Sequence, residues 1–360
     1  MPQGKWFRIG YAIVLLLLIA YLASLVDYIF NPVKAVLGAI FTPLLLSGII
    51  YYMMRPAVKW MTKKIPIVFS ILIVYIVAAG LLFLGFQVLW TPIREQAVSL
   101  VENFPSIIRS VQKWLESVQD AQWLSNFNEQ EHFNLEELTA RATDMFSQIL
   151  NNVMGSVTAV IEAAANFFLL IALVPFIVFY MLKDGHKFES MLLRLFPKRL
   201  HKDAKLTFQE IDTAIYSFIQ GKIVTSVIVG VLVYCGYLLI GLPYAMILAG
   251  VAAITNIIPY LGPFIAGVPT VIVALTVSPL AAIEVCIILL LSNQIEGNLI
   301  TPKIIGKSLN MHPLTIIILV VGGGAILGIM GMIIVVPVYA ILKILFLRGI
   351  DIYRREKKIS

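Results

Sequence analysis

Residues 256–263 read Asn-Ile-Ile-Pro-Tyr-Leu-Gly-Pro, and they interrupt an apolar run that extends from 244 to 277. Pro259 and Pro263 lack an N–H, and each disfavours helix at the residue before it. Gly262 permits a sharp reversal between them. The arms on either side, 244–258 and 263–277, would each span roughly 22 Å as helix. That is short for a hydrocarbon core of about 30 Å. Two readings follow: a re-entrant hairpin, or one long, tilted, Pro-kinked helix. The arm lengths favour the hairpin. Lipid offers a broken backbone no hydrogen-bond partner, so such a break survives only inside protein or beside a watery cavity.

Working outward, the last apolar run, 313–347, is too long for one upright span, and Gly322-Gly323-Gly324 divides it near the middle. These glycines are expected to form a second hairpin tip, or else a face for close helix packing that Gly328 and Gly331 extend. Between the two stretches lies segment 279–299, which ends in Asn293-Gln294-Ile295-Glu296-Gly297-Asn298. A carboxylate with three amides is costly against lipid, so this patch faces protein or a cavity, or it marks a helix end at headgroup level. Gln294 and Asn298 share one helix face. Glu284 reads as interfacial or as a proton site. Glu162 and Asn166 read as helix–helix contacts, and Lys222 as a side chain that snorkels to the membrane surface.

Composition supports a membrane setting for these breaks. The chain is 60% hydrophobic and 13% charged, about half the charge of a soluble domain. Further spans are expected at 9–30, 35–54, 66–91, 153–182 and 215–241. The third stops at Thr91-Pro92, and Pro175 kinks the fourth. Residues 92–152 change character: Ile93, Ala97, Val101, Phe104, Ile108 and Val111 recur at helical spacing on a polar background. This predicts a small helical insert outside the membrane. Residues 183–214 form a basic amphipathic stretch suited to an anionic leaflet, 215–347 a core with broken helices, and 348–360 a basic tail. Segments 1–9, 55–64, 183–205 and 348–358 hold 18 of the 27 Lys and Arg residues, whereas 92–152 carries nine acidic residues against four basic ones. Alternation from a cytoplasmic N-terminus places the basic segments inside and the insert outside, with both termini cytoplasmic. Cys235 and Cys286 read as small buried hydrophobes. The expected fold is therefore all-α: a polytopic helical membrane protein with about eight hydrophobic segments and two re-entrant hairpins.

No phosphate loop, nucleophile elbow or zinc motif occurs, and the histidines at 132, 186, 201 and 312 are scattered. The sequence therefore predicts neither an enzyme nor a cofactor, metal or nucleic-acid site. It resembles the autoinducer-2 exporter family of bacterial membrane proteins across nearly its whole length. NIIPYLGPFIAGVP (256–269) and QIEGNLITPKIIG (294–306) carry the likeness most strongly. Phe179–Gly185, Met311-His312-Pro313-Leu314 and GGGAILGIMGMIIVVP (322–337) add to it. The resemblance implies a multi-pass protein of the bacterial cell membrane that transports without nucleotide hydrolysis and assembles as a homo-oligomer, with a pentamer as one form. Members are associated with export of autoinducer-2, others with sodium or lithium/proton antiport.

The expected solute site comprises Asn256, Pro259, Gly262 and Pro263, then Asn293, Gln294, Glu296 and Asn298, then Gly322, Gly323 and Gly324. Glu296 and Glu284 are the candidate proton or cation groups. The leading reading is a secondary exporter of a small polar organic molecule, working by alternating access. Two hairpins flanking 279–299 would resemble the layout of elevator-type carriers. A cation/proton antiporter is second and a channel third.

Overall fold

A computed structural model describes residues 27–119, 157–304 and 311–359, with scattered positions before residue 19. Among the described residues all regular structure is helical. The helices are α1 (Asp27–Met61), α2 (Ile67–Gln119), α3 (Val157–Arg194), α4 (His201–Leu239), α5 (Ala245–Thr255), α6 (Leu261–Val277), α7 (Pro279–Ile295), α8 (Thr301–Ile304) and α9 (Pro313–Ile359). Among the described residues, five stretches are long and apolar enough to cross a membrane: 38–61, 67–111, 198–239, 279–300 and 313–355. The chain is a polytopic all-α membrane protein. Of the expected first span only scattered positions are described, and the insert beyond Gln119 lies outside the described residues.

Several expected breaks are not there. α1 runs through Asn31-Pro32 and Arg55-Pro56 without interruption. α2 runs through Pro92 and Pro105 for 53 residues, about 80 Å, so the helix that carries the third span continues beyond Thr91. Along α2, tertiary packing offsets the hydrogen bonds that Pro92 and Pro105 remove. Beyond Pro92, Leu100 and Ile107 enter the main hydrophobic cluster with α4–α7, and Gln96 Oε1 accepts hydrogen bonds from the N–H groups of Met246 and Ile247, both 3.2 Å. These are free donors of the first turn of α5. The buried stripe there includes Phe104 and Ile107, while Val101 faces out. α3 likewise continues past residue 182 to Arg194, so the basic stretch is divided between the end of α3 and the start of α4.

Both hairpins are present. α5 and α6 fold back on each other through residues 256–260. Leu261 N–H donates to Pro259 O at 2.7 Å across Tyr260, which has φ 62° and ψ −43°. This is a γ-turn of the strained, positive-φ kind. Tyr260 therefore makes the reversal expected of Gly262. Gly262 serves the packing of the arms instead. A Cβ there would strike Thr255 O and Asn256 Cα, so only glycine lets the arms approach this closely. Pro263 sits in the first turn of α6, where its missing N–H costs nothing.

The second hairpin lies within α9. Gly328 (φ 60°, ψ −145°) breaks its helical path. Gly323 and Gly331 then meet backbone to backbone. In a continuous helix, residues eight apart lie about 12 Å from each other, so the chain has reversed. The tip is Gly328. Gly323 belongs to the packing face instead, with Gly324 against Met332. Val320 and Val336, equidistant in sequence from Gly328, pack on Phe218 of α4 and Ile258 of the first hairpin's tip.

A charged contact ties α1 to α4. Arg55 Nη1 of α1 contacts both carboxylate oxygens of Asp212 on α4, at 2.7 and 2.8 Å, beneath the rings of Tyr51, Tyr52 and Tyr216.

Replacing Gly331 by Leu should force the arms of α9 apart and lower stability by about 1–3 kcal/mol. Gly322→Ala, whose Cβ meets nothing within 4 Å, should be neutral or slightly stabilising. Unfolding temperatures of the purified variants in detergent compare the two.

Candidate functional site

α4, the first hairpin and α7 enclose a cavity of about 960 Å³. The lining follows helical periodicity. The hairpin turn presents Tyr260 and α6 presents Pro263, Phe264, Gly267, Val268, Val271 and Ile272; α7 and the turn after it present Cys286, Leu289, Leu290, Asn293, Glu296 and Gly297. These fall at three- and four-residue spacing, so each helix shows one face. α4 adds Phe218 and Lys222 one turn apart, and Thr301, Met311, Ile316 and Val336 complete the wall. Most of this wall is apolar. Its polar groups converge at one end.

That end is built around Glu296. Glu296 is 8% exposed and Asn256 2%. Lys222 Nζ donates to Glu296 Oε1 at 2.8 Å, and Asn256 Nδ2 donates to the same oxygen at 3.2 Å. The Lys222 and Glu296 side chains are 12% and 10% exposed. Each of the three groups comes from a different element: mid-α4, the hairpin tip, and the end of α7. The α7 helix widens where it supplies Glu296, into a π-helical turn over Glu296–Ile300 in which Thr301 N–H reaches Glu296 O. Single π turns recur at functional sites because they turn one residue out of its regular phase. A strained γ-turn on one wall and a π turn on the other flank the same carboxylate.

The expected residues divide clearly. Asn256, Pro259, Pro263, Asn293 and Glu296 line the cavity. Gly262 does not, but it sets the closeness of the arms that do. Gln294 and Asn298 share a face as expected, yet it is the exposed one: Asn298 Nδ2 donates to Gln294 Oε1 at 2.6 Å, and neither lines the cavity. Gly322–Gly324 and Glu284 do not line it either. The side chains of Glu162 and Asn166 lie outside the described residues.

Lys222 corrects the snorkelling expectation. Its ammonium turns inward to Glu296, and the side chain is only 12% exposed. The signal available in sequence was the pairing of two intramembrane charges of opposite sign. The cysteines are corrected too: Cys235 and Cys286 are both exposed on the surface of the chain, and Cys286 is on the cavity wall. A second cavity of about 1510 Å³ lies among α1, α3 and α4, beside Arg55 and Asp212.

The model of the AI-2E family transporters matches residues 11–350. The chain belongs to that family. It is 36% identical over 346 residues to "Putative transport protein YueF" of Bacillus subtilis, covering 96% of this chain and 94% of the relative. "Putative transport protein YrrI" of the same organism is 31% identical, with 92% and 93% covered. "Putative permease PerM" of Escherichia coli is 24% identical over 85% of this chain and 86% of its own. This AI-2E family member is thus a multi-pass membrane transporter, and its paired charges lie on the cavity of a transport protein.

Lys222→Met should leave an uncompensated carboxylate and cost about 3–5 kcal/mol, whereas Lys222→Met with Glu296→Leu should recover most of that loss. Denaturation of the single and double variants in detergent measures the coupling.

Proposed function

We propose that this protein is a secondary exporter of a small organic molecule of the autoinducer-2 type, residing in the bacterial cell membrane with both termini cytoplasmic. The observation that carries the reading is the cavity floored by Glu296, Lys222 and Asn256. Its volume lies at the upper end for small-molecule sites, and an apolar wall with a few converging polar groups is their usual chemistry. Membership of the AI-2E transporter family supports a transport role. Transporter folds use broken helices to place such sites within the membrane, and here both hairpins border the cavity. Movement of the α4–α7 and α9 core against α1–α3 would give alternating access, of elevator type if the hairpins travel together. The basic segments, concentrated in 55–64, 183–205 and 348–358, support the orientation. Assembly as a homo-oligomer is the family expectation. It would cover apolar side chains such as Leu239 and Ile326, which are exposed on the single chain.

A sodium or lithium/proton antiporter is the second reading, favoured by one observation: Glu296 is an intramembrane carboxylate. The resident ammonium of Lys222 weighs against it, because that cation already occupies the carboxylate.

The test uses the cysteine on the wall. In proteoliposomes, a maleimide should block autoinducer-2 counterflow, and excess autoinducer-2 should protect. Cys286→Ser should abolish the block while Cys235→Ser should not. Inhibition that survives Cys286→Ser would contradict a solute path through this cavity. Asn256→Ala should raise the half-saturating concentration about tenfold, the cost of one polar contact.

A further inference from the structure

The second cavity, among α1, α3 and α4, shares none of its wall with the solute site. Its lining changes character along its length. At one end stand Leu44 of α1 and Phe176 and Ile177 of α3. Tyr51, Tyr52 and Tyr180 follow. Beyond them the wall carries charge on all three helices: Arg55 and Lys59 on α1, Asp184, Lys187 and Glu189 on α3, and Asp212 on α4. α1 and α3 run side by side in the same direction, since Ser47 Oγ donates to Val174 O at 3.4 Å and Tyr51 reaches Gly185. The apolar residues of both helices therefore share one end of the slot.

This gradient has the length of one bilayer leaflet. Leu44 is at the middle of the expected span 35–54, and Arg55 directly follows that span. α1 rises about 16 Å between them, half of a hydrocarbon core of about 30 Å. From Arg55 the slot continues to Thr62, into the headgroup region. The tyrosines stand between the two zones, where amphipathic rings belong. The charged end is balanced. Arg55 holds Asp212, and Lys187 Nζ stands 2.6 Å from Asp184 Oδ1. With Lys59 and Glu189, the wall carries three basic and three acidic side chains. A purely anionic head meets no net positive charge there, whereas a head with a phosphate and an ammonium finds an opposite charge for each.

We propose that this slot seats one zwitterionic aminophospholipid of the cytoplasmic leaflet. Its phosphate lies toward Lys59, its ammonium toward Glu189, and its acyl chains run toward Leu44. The leaflet follows from the orientation given above; the lipid itself goes beyond the transport reading. It fills the space between α1 and α3 on one side and α4 on the other, alongside the Arg55–Asp212 contact. It does so whichever solute the protein carries.

The experiment uses full-length protein, delipidated in detergent and titrated with dioleoylphosphatidylethanolamine, with the phosphatidylglycerol of the same chains for comparison. Native mass spectrometry counts the bound lipid. We expect one ethanolamine lipid per chain, bound about fivefold tighter than phosphatidylglycerol, the worth of one charged contact at a membrane surface. Lys59→Gln should weaken both lipids by about that factor. Glu189→Gln should weaken only the ethanolamine lipid and so erase the preference. An ethanolamine lipid with a diazirine at its chain end should crosslink to peptides carrying Leu44 or Phe176. Equal binding of the two lipids, a preference for phosphatidylglycerol, or crosslinks confined to other helices would each overturn the inference. So would a Glu189→Gln variant that keeps the preference. The wild-type crosslink decides even where a variant fails to fold. None of these readouts needs transport: failure here leaves the transport reading standing, and absent autoinducer-2 counterflow leaves this inference standing.

Discussion

A carboxylate within a membrane protein must be neutralised, hydrated or protonated, because an isolated charge there is too costly to keep. In this protein a lysine from the middle of α4 neutralises Glu296, and the rest of the core is arranged to bring the two together. The hairpin tip carries Asn256 to the same oxygen, and Glu296 continues the cavity face of α7 where the helix widens into a π turn. A buried ion pair is weak evidence for stability, since two apolar side chains of similar volume often serve as well. Its presence on a cavity wall is better explained by what the pair does there.

The hairpins supply the second half of the arrangement. Each turns the chain back on itself in its own way. The first reverses through a γ-turn at Tyr260, held where Gly262 lets the arms touch. The second reverses at Gly328 and is closed by the Gly323–Gly331 contact. The two dock through Ile258, Val320 and Val336, so the tip that bears Asn256 is braced by the middle of the other hairpin. The long α2 braces the opposite end, where Gln96 satisfies the start of α5. A site on two walls of broken helix is thereby fixed by packing at both ends.

Much of this was legible in the sequence, for physical reasons. Proline and glycine between short apolar arms state a reversal directly, and the first hairpin's limits differ from expectation by only a few residues. Glu296 and Asn293 stood out because polar groups inside apolar runs need a reason. The rest was hidden by tertiary override. Pro92 and the Asn31-Pro32 pair look like helix ends, yet the helices run through both, and beyond Pro92 the packing of Leu100 and Ile107 supports the continuation. Gly322–Gly324 drew attention by number, whereas the reversal needs one residue in a left-handed conformation, and Gly328 looks like any other glycine. Gln294 and Asn298 satisfy each other on the outer face, a pairing their spacing already allowed. Lys222 was misplaced because snorkelling is judged from sequence position, while its true partner is 74 residues away.

The central claim is that Lys222 and Glu296 form a neutral pair on the wall of the solute cavity. Solid-state NMR of the protein in lipid bilayers tests it most directly, through the dipolar coupling between Lys222 ¹⁵Nζ and Glu296 ¹³Cδ. The account predicts a strong coupling that persists when autoinducer-2 is added, together with a change in the Glu296 ¹³Cδ shift. Absence of the coupling, or a Glu296 shift that does not respond to the solute, would contradict it.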